Sequence, residues 1–392
     1  MQDIIKKAHP APLCDKPIAD TRVVVAMSGG VDSSVTAVLL HELGYQVIGI
    51  TLQLYDSGKG GGDIFSTSNK SKACCAGQDI YDAKRVAEKF SFPHYVLNYE
   101  SRFNEAVIND FADSYLRGET PIPCVRCNQT VKFHDLLKAA QDLKADALAT
   151  GHYIRRDIDN ISKKAILKKA IDEGKDQSYF LFATTQEQAD FLRFPLGGLH
   201  KSETRKLAEY YQLNIADKPD SQDICFVANG KYADLVKKLR PDANKRGVIQ
   251  HVNGEILGEH SGIVNYTVGQ RKGLGIGGRV DDVSPLYVIR LDADENKVIV
   301  GPYDELKMPS AHLGDVNWLG DVDLHDLALS GHHIQAKIRS TMAAEAATLH
   351  LDEKGDIVVQ FASPLHGVSP GQACVLYNEN RLLGGGWIKS NQ

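Results

Sequence analysis

Five apolar residues, Val23-Val24-Val25-Ala26-Met27, run without alternation into Ser28-Gly29-Gly30. An unbroken apolar run ending in a tight turn is the pattern of a strand buried on both faces of a parallel sheet. Beyond the turn, Val31, Val35, Val38 and Leu39 fall on one helical face, and Gly44 supplies a C-terminal stop. Further strands are predicted near Val47 to Leu54, Tyr95 to Leu97 and Ala147 to Thr150, with a helix from about Asp79 to Phe90. A helical pattern continues from Gln177 to about Leu213. Strands alternating with helices predict an α/β fold with a doubly wound parallel sheet.

Near Lys218 the texture changes. Glycines cluster from Gly254 to Gly278, and from Pro285 onward short alternating stretches follow: Leu286 to Leu291, Lys297 to Val300, Ile334 to Ile338, Ile357 to Phe361 and Ala373 to Tyr377. Turn residues separate them, which predicts a small C-terminal β-barrel. The expected organisation is a flexible N-terminus (1–20), an ATP-binding catalytic domain (21–217), a central domain (218–284) and the barrel domain (285–392). Ser57 to Gly62, with Lys59 inside, reads as a flexible loop.

With 392 residues, the chain is too long for one ordinary domain, which agrees with this division. A formal net charge of −5 excludes a polycation, so any nucleic-acid contact must come from local basic patches. One such patch is Lys237, Lys238, Arg240, Lys245 and Arg246, which reads equally well as a solvated helix face. No apolar run approaches the roughly 20 residues of a membrane span, and Met1 to Asp20 lacks a secretory core. A cytoplasmic protein without a membrane partner is expected. The seven cysteines, an odd count, argue against a structural disulfide framework.

Candidate chemistry begins at Ser28-Gly29-Gly30-Val31-Asp32-Ser33-Ser34. A strand, a glycine turn and a helix N-terminus make an anion site, because the N–H groups converge and the helix dipole adds positive potential. Asp32 is a candidate Mg2+ ligand. The phosphate lysine of the Walker loop is absent. The motif resembles the PP-loop of the N-type ATP pyrophosphatases, which split ATP between the α- and β-phosphates and adenylate a carbonyl oxygen.

Five further segments narrow the resemblance. They are Thr120-Pro121-Ile122-Pro123-Cys124-Val125-Arg126-Cys127-Asn128, Ala149-Thr150-Gly151-His152-Tyr153 and Lys175-Asp176-Gln177-Ser178-Tyr179, followed by Asp220-Ser221-Gln222-Asp223-Ile224-Cys225-Phe226 and Tyr266-Thr267-Val268-Gly269-Gln270-Arg271-Lys272-Gly273-Leu274. In this order, from about Arg22 to Trp387, the chain resembles the tRNA-specific 2-thiouridylases of the MnmA type, in the adenine nucleotide alpha hydrolase-like fold class. The resemblance implies ATP-dependent exchange of oxygen for sulfur at C2 of the wobble uridine (position 34), in tRNAs for Lys, Glu and Gln. A ring carbonyl oxygen leaves poorly until it is adenylated. Sulfur then needs a carrier, and two separated cysteines suit a persulfide and a second thiol.

By this resemblance Cys127 is the nucleophile, and Cys225 carries the persulfide and forms a transient disulfide with Cys127. ATP is bound by Ala26, Met27, Ser28, Gly29, Gly30, Val31, Asp32, Ser33, Leu52 and Gly151. Mg2+ accompanies the nucleotide, and no tightly bound metal is expected. The tRNA is met by Ile122, Pro123, Cys124, His152, Lys175, Asp176, Gln177, Arg339, Ser340 and Gln372. A cysteine desulfurase or sulfur-relay protein is the implied donor. The chain departs from the family pattern twice. Many members have Asn-Pro-Asp where Ile122-Pro123-Cys124 stands, which removes a carboxylate and creates Cys124-x-x-Cys127, and a tyrosine is replaced at Ser340. Cys124-x-x-Cys127 alone would also suit a redox dithiol or half a metal site. Two alternatives stay open: an amide-forming PP-loop ligase, and a metal-assisted RNA-binding protein.

Overall fold

The computed structural model describes residues 1–55, 75–219, 224–227, 232–276 and 285–389. The expected loop at 57–62, Cys74 and the polar residues 220–223 lie outside these residues. The chain divides into two compact units. One comprises Met1–Ala106, Cys124–Gly230 and Asn380–Leu383, the other Val107–Pro123, Lys231–Glu379 and Gly384–Gln392.

The first unit is built on a parallel sheet of order β3-β2-β1-β4-β7. Its strands are β1 (Arg22–Ala26), β2 (Gln46–Gln53), β3 (His94–Asn98), β4 (Ala147–Thr150) and β7 (Leu192–Arg193). Val23, Val24 and Val25 are fully buried, as an unbroken apolar run requires at the centre of a sheet covered on both faces. Register carries Ala26 opposite both Ile50 and Thr150, so the chain leaves β1, β2 and β4 at one edge. Helix α2 (Val31–Glu42) is buried on nearly all sides rather than along one stripe. It tolerates this because its polar positions are small. Ser33, Ser34 and Thr36 are buried beside Val35, Val38 and Leu39, and the Thr36 hydroxyl donates back to Asp32 O at 2.9 Å.

Three expectations change. The first 20 residues are not a free lead-in: α1 (Gln2–Ala8) buries Ala8, and Ile4, Ile5, Leu13 and Ile18 pack on the core of the first unit. The Tyr45 hydroxyl fixes this segment, meeting His9 Nε2 at 2.6 Å and accepting from Leu13 N at 3.0 Å. Between β4 and β7 lies an antiparallel hairpin, β5 (Ile154–Ile158) and β6 (Ala165–Lys169). Its charged, irregular alternation hid it from the pattern. The segment read as one helical stretch from Gln177 contains β7 between the helices Gln186–Phe191 and Lys201–Tyr210.

The second unit holds two β-systems. One sheet has order β10-β11-β8-β9, from β8 (Gly247–His251), β9 (Ile256–His260), β10 (Tyr287–Asp292) and β11 (Lys297–Gly301). Ile249, Val288, Val298 and Val300 form its core. The strands at 287–301 were expected to open the barrel, yet β11 pairs in parallel with β8. β10 and β11 therefore belong to the central sheet rather than to the barrel. The barrel follows with β12 (Lys307–Trp318), β13 (His333–Lys337), β14 (Glu345–Leu351), β15 (Ile357–His366), β16 (Ala373–Asn378) and β17 (Arg381–Ile388). Their order is β12-β15-β14-β13-β16-β17, and pairing of β12 with β17 closes the ring.

Candidate active site

The loop after β1 is braced by its own serines. Ser28 N donates to Ser33 Oγ at 3.1 Å, the two hydroxyls stand 3.2 Å apart, and Ser33 Oγ donates to Gly30 O at 3.2 Å. Gly29 has φ +74°, and a Cβ there would sit 2.0 Å from Asp79 O. Glycine is thus required twice, for conformation and for close approach to helix α3 (Cys75–Phe90). Gly151 abuts the start of α2 in the same way: a Cβ on it would lie 2.8 Å from Ser33 N. Leu52 is the penultimate residue of β2. Ala26, Met27, Ser28, Gly29, Gly30, Val31, Asp32, Ser33, Leu52 and Gly151 therefore gather at the C-terminal ends of β1, β2 and β4, where α/β sheets bind ligands.

Asp32 has a different setting from the one expected. Lys201 Nζ donates to both its carboxylate oxygens, at 2.6 and 2.8 Å, and the Tyr153 hydroxyl donates to Oδ1 at 3.0 Å. Lys201 is buried on the helix Lys201–Tyr210. Among the described residues no group of three His, Cys, Asp or Glu is placed to hold a metal ion. With its one carboxylate committed to an ammonium, the loop does not fit Mg2+ by protein side chains alone. Lys201 was not singled out from the sequence. Its spacing from Asp32 carries no signal, because only the packing of two distant helices brings them together.

The thiols lie in the same unit. Pro123–Arg126 forms one helical turn that continues into a π-helix, Cys127–Asp135, and then an α-helix, Leu136–Asp142. Single π segments within helices recur at functional sites. Cys124 is exposed at the start of this run, whereas Cys127 is buried. Asn128 beside it is buried too. Its Nδ2 donates to Phe180 O at 3.2 Å, while Oδ1 has no hydrogen-bond partner among the described residues. Phe226 is buried and packs edge-to-face on Phe103 with ring centres 5.6 Å apart, which holds the preceding Cys225 at the surface. Although Cys225 keeps an exposed face, the protein packed around it, then Cys127 and Cys124, push its thiol up to about 12. Burial likewise raises Cys127. Folding has therefore brought Cys124, Cys127 and Cys225 within electrostatic reach of one another.

Lys132 is the cation that opposes these shifts at both Cys127 and Cys225. The sequence did not single it out. At the α-helical rotation, five residues from Cys127 would place it about 140° away, but five residues make roughly one turn of a π-helix. His152 stands nearby. Its Nδ1 meets Thr150 Oγ1 at 2.8 Å, and Phe133 lies against its ring at 5.7 Å. Burial and then Lys132 depress it to about 3, so it is a neutral imidazole at physiological pH.

High thiol pKa values have a direct consequence. Alkylation of Cys225 by iodoacetamide, followed by peptide mass spectrometry, is expected to accelerate about tenfold per pH unit from 7 to beyond 9, since only the thiolate reacts. A plateau reached below pH 8.5 would contradict the crowded setting of this thiol.

The remaining candidates are distributed. Asp176 accepts from Ala170 N at 2.9 Å and from Ser178 Oγ at 2.7 Å, and Gln177 exchanges hydrogen bonds with the Tyr153 backbone. Both side chains therefore brace turns, and Lys175 precedes them at the end of a 3-10 turn. In the second unit Arg339 is exposed and donates to Gly367 O at 3.0 Å, with Ser340 next to it. Gln372 donates to Thr120 O at 2.7 Å, shortly before Ile122 and Pro123. In the basic patch, Arg240 is held by Asp113 at 2.7 Å and by Asn109 at 3.2 Å.

A parallel sheet with a glycine loop at the switch into its first long helix, lacking the Walker lysine, defines a PP-loop nucleotide-binding domain of the HUP class. Comparison with known proteins agrees. The family model described as tRNA methyl transferase HUP domain matches residues 21–229, the tRNA methyl transferase PRC-barrel domain matches 233–302, and the aminomethyltransferase β-barrel domain matches 311–388. The tRNA-specific 2-thiouridylase MnmA of Maricaulis maris is 59% identical over 95% of this chain and 88% of its own length. That of Rhodospirillum centenum is 57% identical over 95% and 93%, and that of a Wolbachia from Drosophila simulans 54% identical over 99% and 100%. The chain belongs to the tRNA-specific 2-thiouridylase family of the MnmA type.

Proposed function

We propose that this protein is an ATP-dependent tRNA 2-thiouridylase acting on C2 of the wobble uridine, position 34, of tRNAs for Lys, Glu and Gln. The observation that carries the reading is the placement of Cys127 and Cys225, distant in sequence, within electrostatic reach of each other in the unit that holds the PP-loop. In the first step the C2 oxygen attacks the α-phosphorus of ATP, pyrophosphate leaves, and C2 bears an adenylate. In the second, the terminal sulfur of a Cys225 persulfide attacks C2 and AMP departs with the former oxygen. Cys127, having lost its proton, then attacks Sγ of Cys225. The electron pair of the persulfide S–S bond stays with the sulfur on C2, and a transient Cys127–Cys225 disulfide awaits a thiol reductant.

The chain's own residues serve each step. The N–H groups after β1 and the start of α2 hold phosphate. Gly151 leaves room at the nucleotide. His152, uncharged, presents a neutral aromatic ring to an extruded base rather than a cation to phosphate. Ile122, Pro123 and Cys124 meet the target base, and Lys175, Asp176, Gln177, Arg339, Ser340 and Gln372 the tRNA. Because Asp176 and Gln177 already brace turns, they contact RNA through the backbone they shape. Mg2+ enters with the phosphates of ATP, and a cysteine desulfurase or sulfur-relay protein in the cytoplasm reloads Cys225. No helix among the described residues is long and apolar enough to cross a membrane. The test is reconstitution: unmodified tRNA, ATP, Mg2+ and a persulfide donor are expected to yield 2-thiouridine with AMP and pyrophosphate, read by nucleoside chromatography. Pyrophosphate release without any 2-thiouridine would refute the assignment in favour of a different adenylating enzyme.

A further inference from the structure

We propose that Lys218 is a positioning residue that sets the phosphate-binding geometry of the PP-loop. The inference deepens the thiouridylase reading and rests on it only for the chemistry that the bound ATP serves.

Three parts of the first unit meet at the Lys218 ammonium. Nζ donates to Gly29 O in the PP-loop at 3.0 Å, to Asp79 Oδ1 at 2.6 Å and to Asp82 Oδ2 at 2.7 Å, the two aspartates being on α3. That uses all three donors of the ammonium. The side chain is about three-quarters covered, at 26% relative exposure, so the contacts are shielded from bulk water. Its own backbone is held as well, with Lys218 N donating to Ile215 O at 2.9 Å and Arg205 donating to Ala216 O at 2.7 Å. Burial by itself would lower the Lys218 pKa. The hydrogen bonds to Asp79 and Asp82 outweigh it, so the group stays charged.

The contact with Gly29 O matters because a trans peptide points its carbonyl and the following N–H in opposite directions. Holding Gly29 O against Lys218, on the α3 side, turns Gly30 N–H the other way, towards the interior of the loop where phosphate binds. Glycine on both sides of this peptide leaves it otherwise free to flip. An anchored carbonyl therefore converts a flexible peptide into a fixed anion donor.

Lys218→Met removes the donor while keeping length, and Lys218→Arg keeps the charge. Three quantities would be measured on the full chain with unmodified tRNA: the ATP dissociation constant by calorimetry, the KM for ATP in pyrophosphate release, and the ratio of 2-thiouridine formed to pyrophosphate released. Thermal melting would run alongside. Lys218→Met is expected to weaken ATP about tenfold, as for loss of one charged hydrogen bond, with the product ratio unchanged. Lys218→Arg is expected to recover most of the ATP affinity. Unchanged ATP affinity in a folded Lys218→Met would overturn the proposal. So would a fall in kcat alone, with no rescue by arginine, which is what a purely structural lysine gives. Should Lys218→Met not fold, the Asp79→Asn/Asp82→Asn pair, which leaves Lys218 on Gly29 O with neutral partners, is expected to keep ATP affinity within about threefold, and a larger loss would count against the carbonyl anchor. If the wild-type protein makes no 2-thiouridine, the thiouridylase reading fails, while the calorimetric arm still decides whether Lys218 anchors the PP-loop.

Discussion

Cys225→Ser is expected to abolish 2-thiouridine formation while leaving tRNA-dependent pyrophosphate release largely intact. The two outcomes separate because the two chemistries use different groups. Adenylation needs phosphate held by the loop after β1 and a tRNA oxygen, and neither involves the Cys225 side chain. Sulfur delivery needs an atom that can form and break an S–S bond, and a hydroxyl cannot. The expected loss of thiolation is on the order of 10³-fold or more, as for removal of a covalent catalyst. The fold should be unaffected. Cys225 is exposed and its neighbour Phe226 makes the anchoring contact with Phe103, so the change in stability stays within about 0.5 kcal/mol. Cys127→Ser should also fail in thiolation but still accept a persulfide on Cys225, seen as the mass increment of one sulfur. A Cys225→Ser protein that thiolates tRNA at the wild-type rate would remove Cys225 as the carrier.

Much of this site was legible from residue order because its chemistry is local in sequence. The PP-loop is one contiguous segment, and an apolar strand, two glycines and a helix start dictate its shape whatever surrounds it. Strand β4 was legible for the same reason, and with it Gly151. What pairs distant segments was not. The ion pair of Asp32 with Lys201, the triad at Lys218 and the approach of Lys132 to the thiols depend on tertiary packing or on a helical period other than 3.6. The sheet to which the strands after 284 belong was hidden for the same reason. Strands at 287–301 alternate like barrel strands, and only pairing of β11 with β8 assigns them to the central sheet. The N-terminal segment was misjudged because its apolar residues are sparse. Yet Ile4, Ile5, Ala8, Leu13 and Ile18 suffice once a core exists to receive them.

Gly29→Ala is expected to be the most damaging single change to nucleotide use. Two costs combine. At φ +74° an L-residue is strained by roughly 1 kcal/mol. The added Cβ would also fall 2.0 Å from Asp79 O, a backbone atom that cannot rotate away, so the PP-loop and α3 must separate. Separation pulls Gly29 O off Lys218 and misaims the next N–H, and the phosphate site is lost with it. ATP KM is expected to rise by about two orders of magnitude, the scale of losing two or more charge-assisted hydrogen bonds. Melting temperature should fall by several degrees. Gly355→Ala isolates the first cost. Gly355 has a similar φ of +82°, with nothing within 4 Å of the added carbon. It lies between β14 and β15, so it should lose about 1 kcal/mol of stability and keep wild-type ATP kinetics. If Gly29→Ala behaved like Gly355→Ala in both assays, close approach of the loop to α3 would not be what shapes the phosphate site.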